Sequence, residues 1–376
     1  MTGWQRVFKH PLKILQALIG WGKFGSTRRF LSLVLIGAGL TFAIAACLGG
    51  SETASTSSPG VNQKQDIEVT LVSFAVTKKA HDAIIPKFVE KWKQEKGQNV
   101  RFTTSYGGSG SQTRAVIDGL EADVVHLALA LDTEKLVKAG LVEKGWEKEN
   151  PNNGTVAKTV AALITREGNP KNITSFNDLI RNDVKWITAD PKTSGIARWN
   201  FLALWNYAMK TNGGNETRAK EFVTKAFNNV PVLAKDAREA SDVFIKQGQG
   251  DALVNYENEV LLAQQKGEKV NYTIPDVNLS IDTPATVVDK YVDKRGTREV
   301  AEAFVKFLYT PEAQEEFVKA GFRPIDESVA KNKELTSKFP PVKTLGTVQD
   351  YGGWSEVQKQ FFADGAFFDQ MQAAKK

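Results

Sequence analysis

Three turns in this chain set small polar residues directly ahead of a helix-forming run, an arrangement that can hold an anion through backbone amides. Residues 107–112 read Gly-Gly-Ser-Gly-Ser-Gln. Ser109 and Gln112 have the spacing of a capping box, in which the serine oxygen accepts from the N3 amide and the glutamine reaches back. A helix is therefore predicted to start at Ser109. Gly107, Gly108 and Gly110 leave its first amides uncovered, and those amides with the helix dipole favour negative charge. The second turn is Ala-Asp-Pro-Lys-Thr-Ser-Gly, residues 189–195, where a hydroxyl at Ser194 and the amides after it can converge on one point. In the third, Asp236 and Glu239 form a capping-box-like pair, which makes Ala237 the first helical residue, with an amide the cap does not use.

Taken singly, each turn is also what an ordinary helix start looks like. Known phosphate loops fit poorly. No lysine follows the glycines of residues 107–110, as a Walker A loop needs, and Thr113 stands where a dinucleotide fingerprint has its third glycine. A nucleophile elbow centred on Ser109 fails because Ser111 occupies its last position. Beyond residue 46 there are two histidines, His81 and His126, and one cysteine, Cys47, with no HExxH motif and no Cys/His cluster. His126 reads as a core or strand-end residue. Arg114 and Arg198 lie a turn inside their helices, where a solvated or supporting role is expected. The carboxylates of Tyr-Glu-Asn-Glu, residues 256–259, read as a solvated face. No cofactor and no metal are predicted.

The elements that carry these turns alternate in type. Ile67–Phe74 is strand-like, a helical run stops at Gly97, residues 99–106 form a second strand, and residues 123–130 a third. Strands alternating with helices imply a parallel sheet covered on both faces, with ligands beyond the strands' carboxyl ends. Gly145–Thr155 is rich in Asn, Pro and Gly and is predicted to cross between lobes. A second α/β series follows. Its long helix places Phe201, Leu204, Trp205 and Ala208 at i, i+3, i+4, i+7, a core face. The boundaries read from the sequence are residues 66–150 for the first part of lobe 1, 151–260 for lobe 2, and 261–376 for a return to lobe 1 with C-terminal helices across the lobes.

Residues 1–46 carry six basic residues and no acidic one, and Phe30–Ala46 is apolar with a small-residue exit. That is the pattern of a removable signal peptide, and at 17 residues the run is at the short limit for a retained span. The whole chain has 49 Lys+Arg against 43 Asp+Glu; without the six, the rest is neutral. The basic balance is therefore no nucleic-acid footprint. The exit at Cys47 resembles a bacterial lipobox, which makes Cys47 a lipidation candidate; cleavage at a nearby Ala-x-Ala site is the alternative. Residues 47–65 are Gly/Ser/Thr-rich and suit a flexible tether.

From about Glu68 to Gln370 the chain resembles the periplasmic sulfate-binding proteins of bacterial sulfate/thiosulfate importers. The matching stretches include GGSGSQ, GLEADVVHLALA, PKTSGIARWNFLALW, YENEVLLA and GGWSEVQKQFFADGAFFDQ. The resemblance implies a two-lobed, type II periplasmic-binding fold, α/β in class, with sulfate in the cleft. It also implies that the amides of Ala75, Ser109, Gly195, Ile196 and Ala237 bind the dianion, with the Ser194 hydroxyl and a side-chain donor at Tyr256. Aspartate is usual at the position of Ala75, a second glycine at Ile196 and an indole donor at Tyr256. A phenol accepts as well as donates, so thiosulfate or another tetrahedral oxyanion, molybdate included, is the alternative ligand. An enzyme on the same fold is a rival of another class. The expected protein is a monomer in the periplasm that hands its anion to an ABC permease.

Overall fold

The computed structural model describes residues 66–375. The first strand, β1 (Ile67–Phe74), is buried along six of its eight residues because it lies inside a sheet with helices on either side. Helix α1 (Lys78–Lys96) follows it, turning His81, Ile84, Phe88 and Trp92 to the core, and ends at Gly97 in the left-handed region (φ 64°). Then come β2 (Val100–Gly107), α2 (Ser109–Ile117), β3 (Val124–His126) and α3 (Ala130–Lys138). The strand β4 (Thr155–Thr159) completes this half.

The chain passes into a second sheet at β5 (Ala161–Arg166). Its other members are β6 (Trp186–Ala189), β7 (Leu233–Ala234), β8 (Ala252–Tyr256) and β9 (Val270–Thr273). Four helices belong to this half: α4 (Gly195–Thr211), α5 (Glu216–Asn228), α6 (Ala237–Ile245) and α7 (Glu257–Gln265). The return runs through β10 (Val277–Leu279) and β11 (Ile281–Val287) into α8 (Asp289–Arg295), α9 (Arg298–Phe307) and α10 (Pro311–Lys319). A late strand, β12 (Thr344–Gly346), pairs with β10.

The sheet orders are β2-β1-β3-β11-β4 and β7-β6-β8-β5-β9. In the first sheet β2, β1 and β3 are parallel, and β11 runs antiparallel to both β3 and β4. The change of sheet falls between Thr159 and Ala161, inside an apolar run, and not in the Gly145–Thr155 segment where polar composition placed it. That segment instead forms turns of lobe 1, with Asn152 and Asn153 both at positive φ. The second sheet also extends past residue 260, since β9 pairs with β5. The crossings are tied together at their base: β11 pairs with β4, and Asn278 Nδ2 donates to the Ala161 carbonyl at 2.8 Å.

Helix α4 is buried on every side and not only along the aromatic face read from its periodicity. The far side is covered by the C-terminal segment: Phe361 meets Trp205 edge-on with ring centres 4.8 Å apart, and Trp354 meets Trp199 edge-on at 4.5 Å. A helix apolar all round needs such a second cover.

Candidate functional site

Helix α2 starts at Ser109, as the glycine-rich turn implies, but the capping box is absent. Gly108 is the N-cap, with extended backbone, and no side chain caps the helix. The Ser109 hydroxyl donates to Asp132 Oδ2 at 2.7 Å and accepts from the Ala128 amide at 3.0 Å. Gln112 turns instead to Ser105, whose hydroxyl it accepts at 3.0 Å. The serine gives its proton to the buried Asp132 carboxylate and its oxygen to the Ala128 amide, so the helix's own amide is left without it. The first amides of α2 therefore stay uncommitted to a side chain.

At α4, Ser194 is the N-cap, yet its hydroxyl makes no capping bond. At α6 the cap works as read: Asp236 Oδ1 accepts from the Glu239 amide at 2.9 Å. Glu239 reaches back one residue further than a standard box, to the Lys235 amide at 3.0 Å. The fourth element is a short 3-10 turn, Ala75–Thr77, that begins where β1 ends and also lacks a side-chain cap.

These four starts meet. Ala75, Ser109, Ser194, Gly195, Ala237 and Tyr256 line one cavity of about 10 Å³ between the two sheets. That is far below the roughly 300–1,000 Å³ of sites for drug-sized ligands, and it leaves room only for a very small guest. Ile196 is buried but does not line the cavity. Phe74, Val76, Gly107, Gly108, Ala128 and Asp236 line it too, although the turns did not single them out as ligands. Their signal is adjacency: each lies one or two positions from a predicted donor, or on the strand facing one.

Two glycines let the lobes approach. A Cβ on Gly108 would stand 2.6 Å from the Thr193 carbonyl oxygen and 3.1 Å from that of Lys235. A Cβ on Gly195 would stand 2.5 Å from both Ala128 Cβ and Leu129 Cδ2. Neither glycine has a positive φ; what they supply is the absence of a side chain where two surfaces meet.

The charge in this region comes from fixed dipoles and from a paired cluster behind the cavity wall. Three helix N-termini point at one place, each equivalent to about half a positive charge. Arg198, buried on α4, reaches across the cleft to Asp132 Oδ1 at 3.3 Å, and Lys135 binds the same oxygen at 2.7 Å. Burial works against the Asp132 carboxylate, but Arg198, Lys135 and the Ser109 hydrogen bond outweigh it and hold its pKa below the ordinary range. Arg114 donates to the Lys192 carbonyl at 3.1 Å, and Trp199 Nε1 donates to that of Ala128 at 2.9 Å. Arg198 is thus a buried bridge between lobes. None of these cations lines the cavity.

The Tyr256 ring is buried at the end of β8, beside Phe74. Burial, with Asp132, Glu259 and Asp236 nearby, pushes its phenol well above the ordinary value, so its hydroxyl keeps its proton. The next residues are a correction to the reading of a solvated face. Glu257, Asn258 and Glu259 are all buried. Arg323 grips Glu257 with two bonds of 2.7 and 2.9 Å, and Arg238 pairs with Glu259 at 2.9 Å. Sequence periodicity could not see these partners, which come from distant segments. Among the described residues no cluster of His, Cys, Asp and Glu suited to a metal is present. Cys47 lies outside the described residues, as do the predicted export segment and the whole tether.

Two α/β lobes joined by crossing strands, with a small cavity between them lined by helix N-termini, define a solute-binding protein. The chain belongs to the bacterial extracellular solute-binding protein family, whose model matches residues 69–323. A sulfate-binding protein of Synechococcus elongatus is 55% identical over 348 residues, 92% of this chain and 97% of that protein. A second sulfate-binding protein, from Synechocystis sp., is 49% identical and covers 95% of this chain and 97% of its own. The solved structure of the sulfate-binding protein SubI from Mycobacterium tuberculosis is 36% identical with a TM-score of 0.72, covering 79% of this chain and 100% of that one. Among the described residues no helix is long and apolar enough to cross a membrane.

Proposed function

We propose that the protein captures sulfate outside the cytoplasmic membrane for an ABC importer, binding the anion without chemistry and passing it to a membrane permease. The observation that carries this is the donor set. The cavity wall is built from four helix starts with hydroxyls at Ser194 and Tyr256 beside that of Ser109, which is committed to Asp132; its one carboxylate, Asp236, caps α6, and it has no lysine or arginine. In this reading the amides of Ala75, Ser109, Gly195 and Ala237, with that of Ile196 just behind, donate to one dianion. Sulfate is fully ionised at neutral pH and offers only acceptors, which such a ring satisfies. A hydrogen phosphate would turn an O–H toward donors, an unpaired contact costing about 1–3 kcal/mol. The same reading has the protein acting as a monomer in the periplasm, with the segment before residue 47 removed and Cys47 available for a lipid anchor.

Calorimetric titration with sulfate, thiosulfate, molybdate and phosphate tests it. Sulfate is expected to bind tightest. Phosphate binding as tightly as sulfate would rule out the donor-ring reading.

A further inference from the structure

The two histidines of the described chain touch each other in the lobe 1 core, fully buried and away from the anion cavity. His81 Nε2 is 3.1 Å from His126 Nδ1. His81 Nδ1 is 3.2 Å from the Tyr106 hydroxyl, and His126 Nε2 is 3.1 Å from Thr283 Oγ1. The direction of the chain follows from its inner end. The Thr283 hydroxyl donates its one proton to the Ala157 carbonyl at 3.0 Å, so it must accept from His126. His126 then carries its proton on Nε2 and accepts on Nδ1. His81 likewise donates from Nε2, and its Nδ1 accepts from Tyr106. All four ring nitrogens are engaged, and two neutral rings satisfy every contact.

This relay spans the lobe. It joins α1 and β2 to β3, and ends on β11 and β4, the strands that cross to lobe 2. His126 also packs edge-on against Phe74, 5.3 Å between centres, one residue before Ala75. We infer that the His81–His126 pair is an acid-sensitive lock on lobe 1. Adding a proton puts a charge with no counter-ion into the lobe core, loosens that core and dismantles the strand ends that present Ala75 and Ser109.

No carboxylate stands ready to stabilise a charged ring. Phe74 of β1 and Phe317 of α10 pack against the pair. At the outer end Lys78 and Asp82 of α1 pair with each other at 2.7 Å beside Tyr106. Lys158 and Asp282 neighbour Ala157 and Thr283 in sequence but stand on the opposite sheet face. Glu316 of α10 is paired with Lys87 and Lys319. Burial accordingly lowers His81 to about 3, and burial with the neighbouring ring lowers His126 as well. Since the folded pKa lies below the unfolded one, the stabilisation is complete above about pH 6.5 and is lost as pH falls toward the folded values.

The test uses the whole mature chain without added anion. Glutamine can accept and donate at once, so the double variant His81→Gln, His126→Gln keeps a relay that does not titrate. Urea unfolding at several pH values between 6 and 4 should show wild type taking up about two more protons on unfolding than the variant. Equal slopes would overturn the lock. A second arm needs no variant: ¹⁵N NMR of folded wild type at pH 5 should show both rings neutral with protons on Nε2. A charged ring, or the other tautomer, in the folded protein overturns it too. The link to anion release rests on the proposed sulfate site. Sulfate should move the acid midpoint of wild type to lower pH. No movement would count against that site and leave the lock standing.

Discussion

Replacing Gly108 with alanine tests whether the lobes must meet closely for the anion to be held. The backbone there, φ −62° and ψ 134°, is open to any L-residue. The substitution therefore adds no backbone strain, and its cost comes from what the methyl meets. The added methyl would stand 2.6 Å from the Thr193 carbonyl oxygen, with the Lys235 carbonyl oxygen at 3.1 Å. Both are backbone atoms of lobe 2, so no rotamer change relieves the contact. The lobes must back off by several tenths of an ångström. Overpacking of this kind costs about 1–3 kcal/mol. Stretching even one hydrogen bond to a charged acceptor loses up to about 1.5–3 kcal/mol more. A total near 3 kcal/mol corresponds to sulfate binding weakened roughly a hundredfold. Gly110→Ala is the graded control, because its methyl would stand 3.3 Å from the same Thr193 oxygen, close enough to need only a small adjustment. Calorimetry on the three proteins should rank wild type, Gly110→Ala, then Gly108→Ala. If Gly108→Ala binds sulfate within threefold of wild type, close apposition of the lobes is not what holds the anion.

Ser194→Ala should weaken sulfate binding by about 1.5–3 kcal/mol without lowering the melting temperature, since the hydroxyl makes no capping bond; unchanged affinity in calorimetry would remove it from the site. Tyr256→Phe keeps the buried ring against Phe74 and deletes one donor, so affinity should fall while the far-UV circular dichroism stays the same. Arg198→Met leaves the Asp132 carboxylate short of a buried partner, and chemical denaturation should show a loss of about 3–5 kcal/mol, as for other broken buried pairs. Asp132 itself has a depressed pKa, so its stabilisation is present above its unfolded value and lost as pH falls through the folded one. Asp132→Asn should therefore flatten the stability profile below about pH 4, which urea melts at pH 3–5 would reveal.

Much of the site was legible in local chemistry. A serine or aspartate before a helical run, with glycines beside it at two of the three turns, pointed to uncovered amides at Ser109, Gly195 and Ala237, and the helices start there. The alternation of strand and helix gave the α/β class, because periodicity is a property of neighbours in sequence. Ala75 and Tyr256 entered only through resemblance, since a strand end carries no signal that distinguishes a ligand from a turn.

What tertiary structure decided is where those uncommitted groups go. The hydroxyl of Ser109 could cap its own helix or bind elsewhere, and a carboxylate 23 residues away takes it. The acidic run at Glu257–Glu259 could face water or core, and arginines from α6 and from the segment after α10 bring it inside. The crossing between lobes sits in an apolar stretch because its strands pair with each other, while the polar break before it stays within one lobe. Local propensity fixes which amides are left open. Only the meeting of two lobes, at glycines without side chains to keep them apart, brings four helix starts together around one cavity.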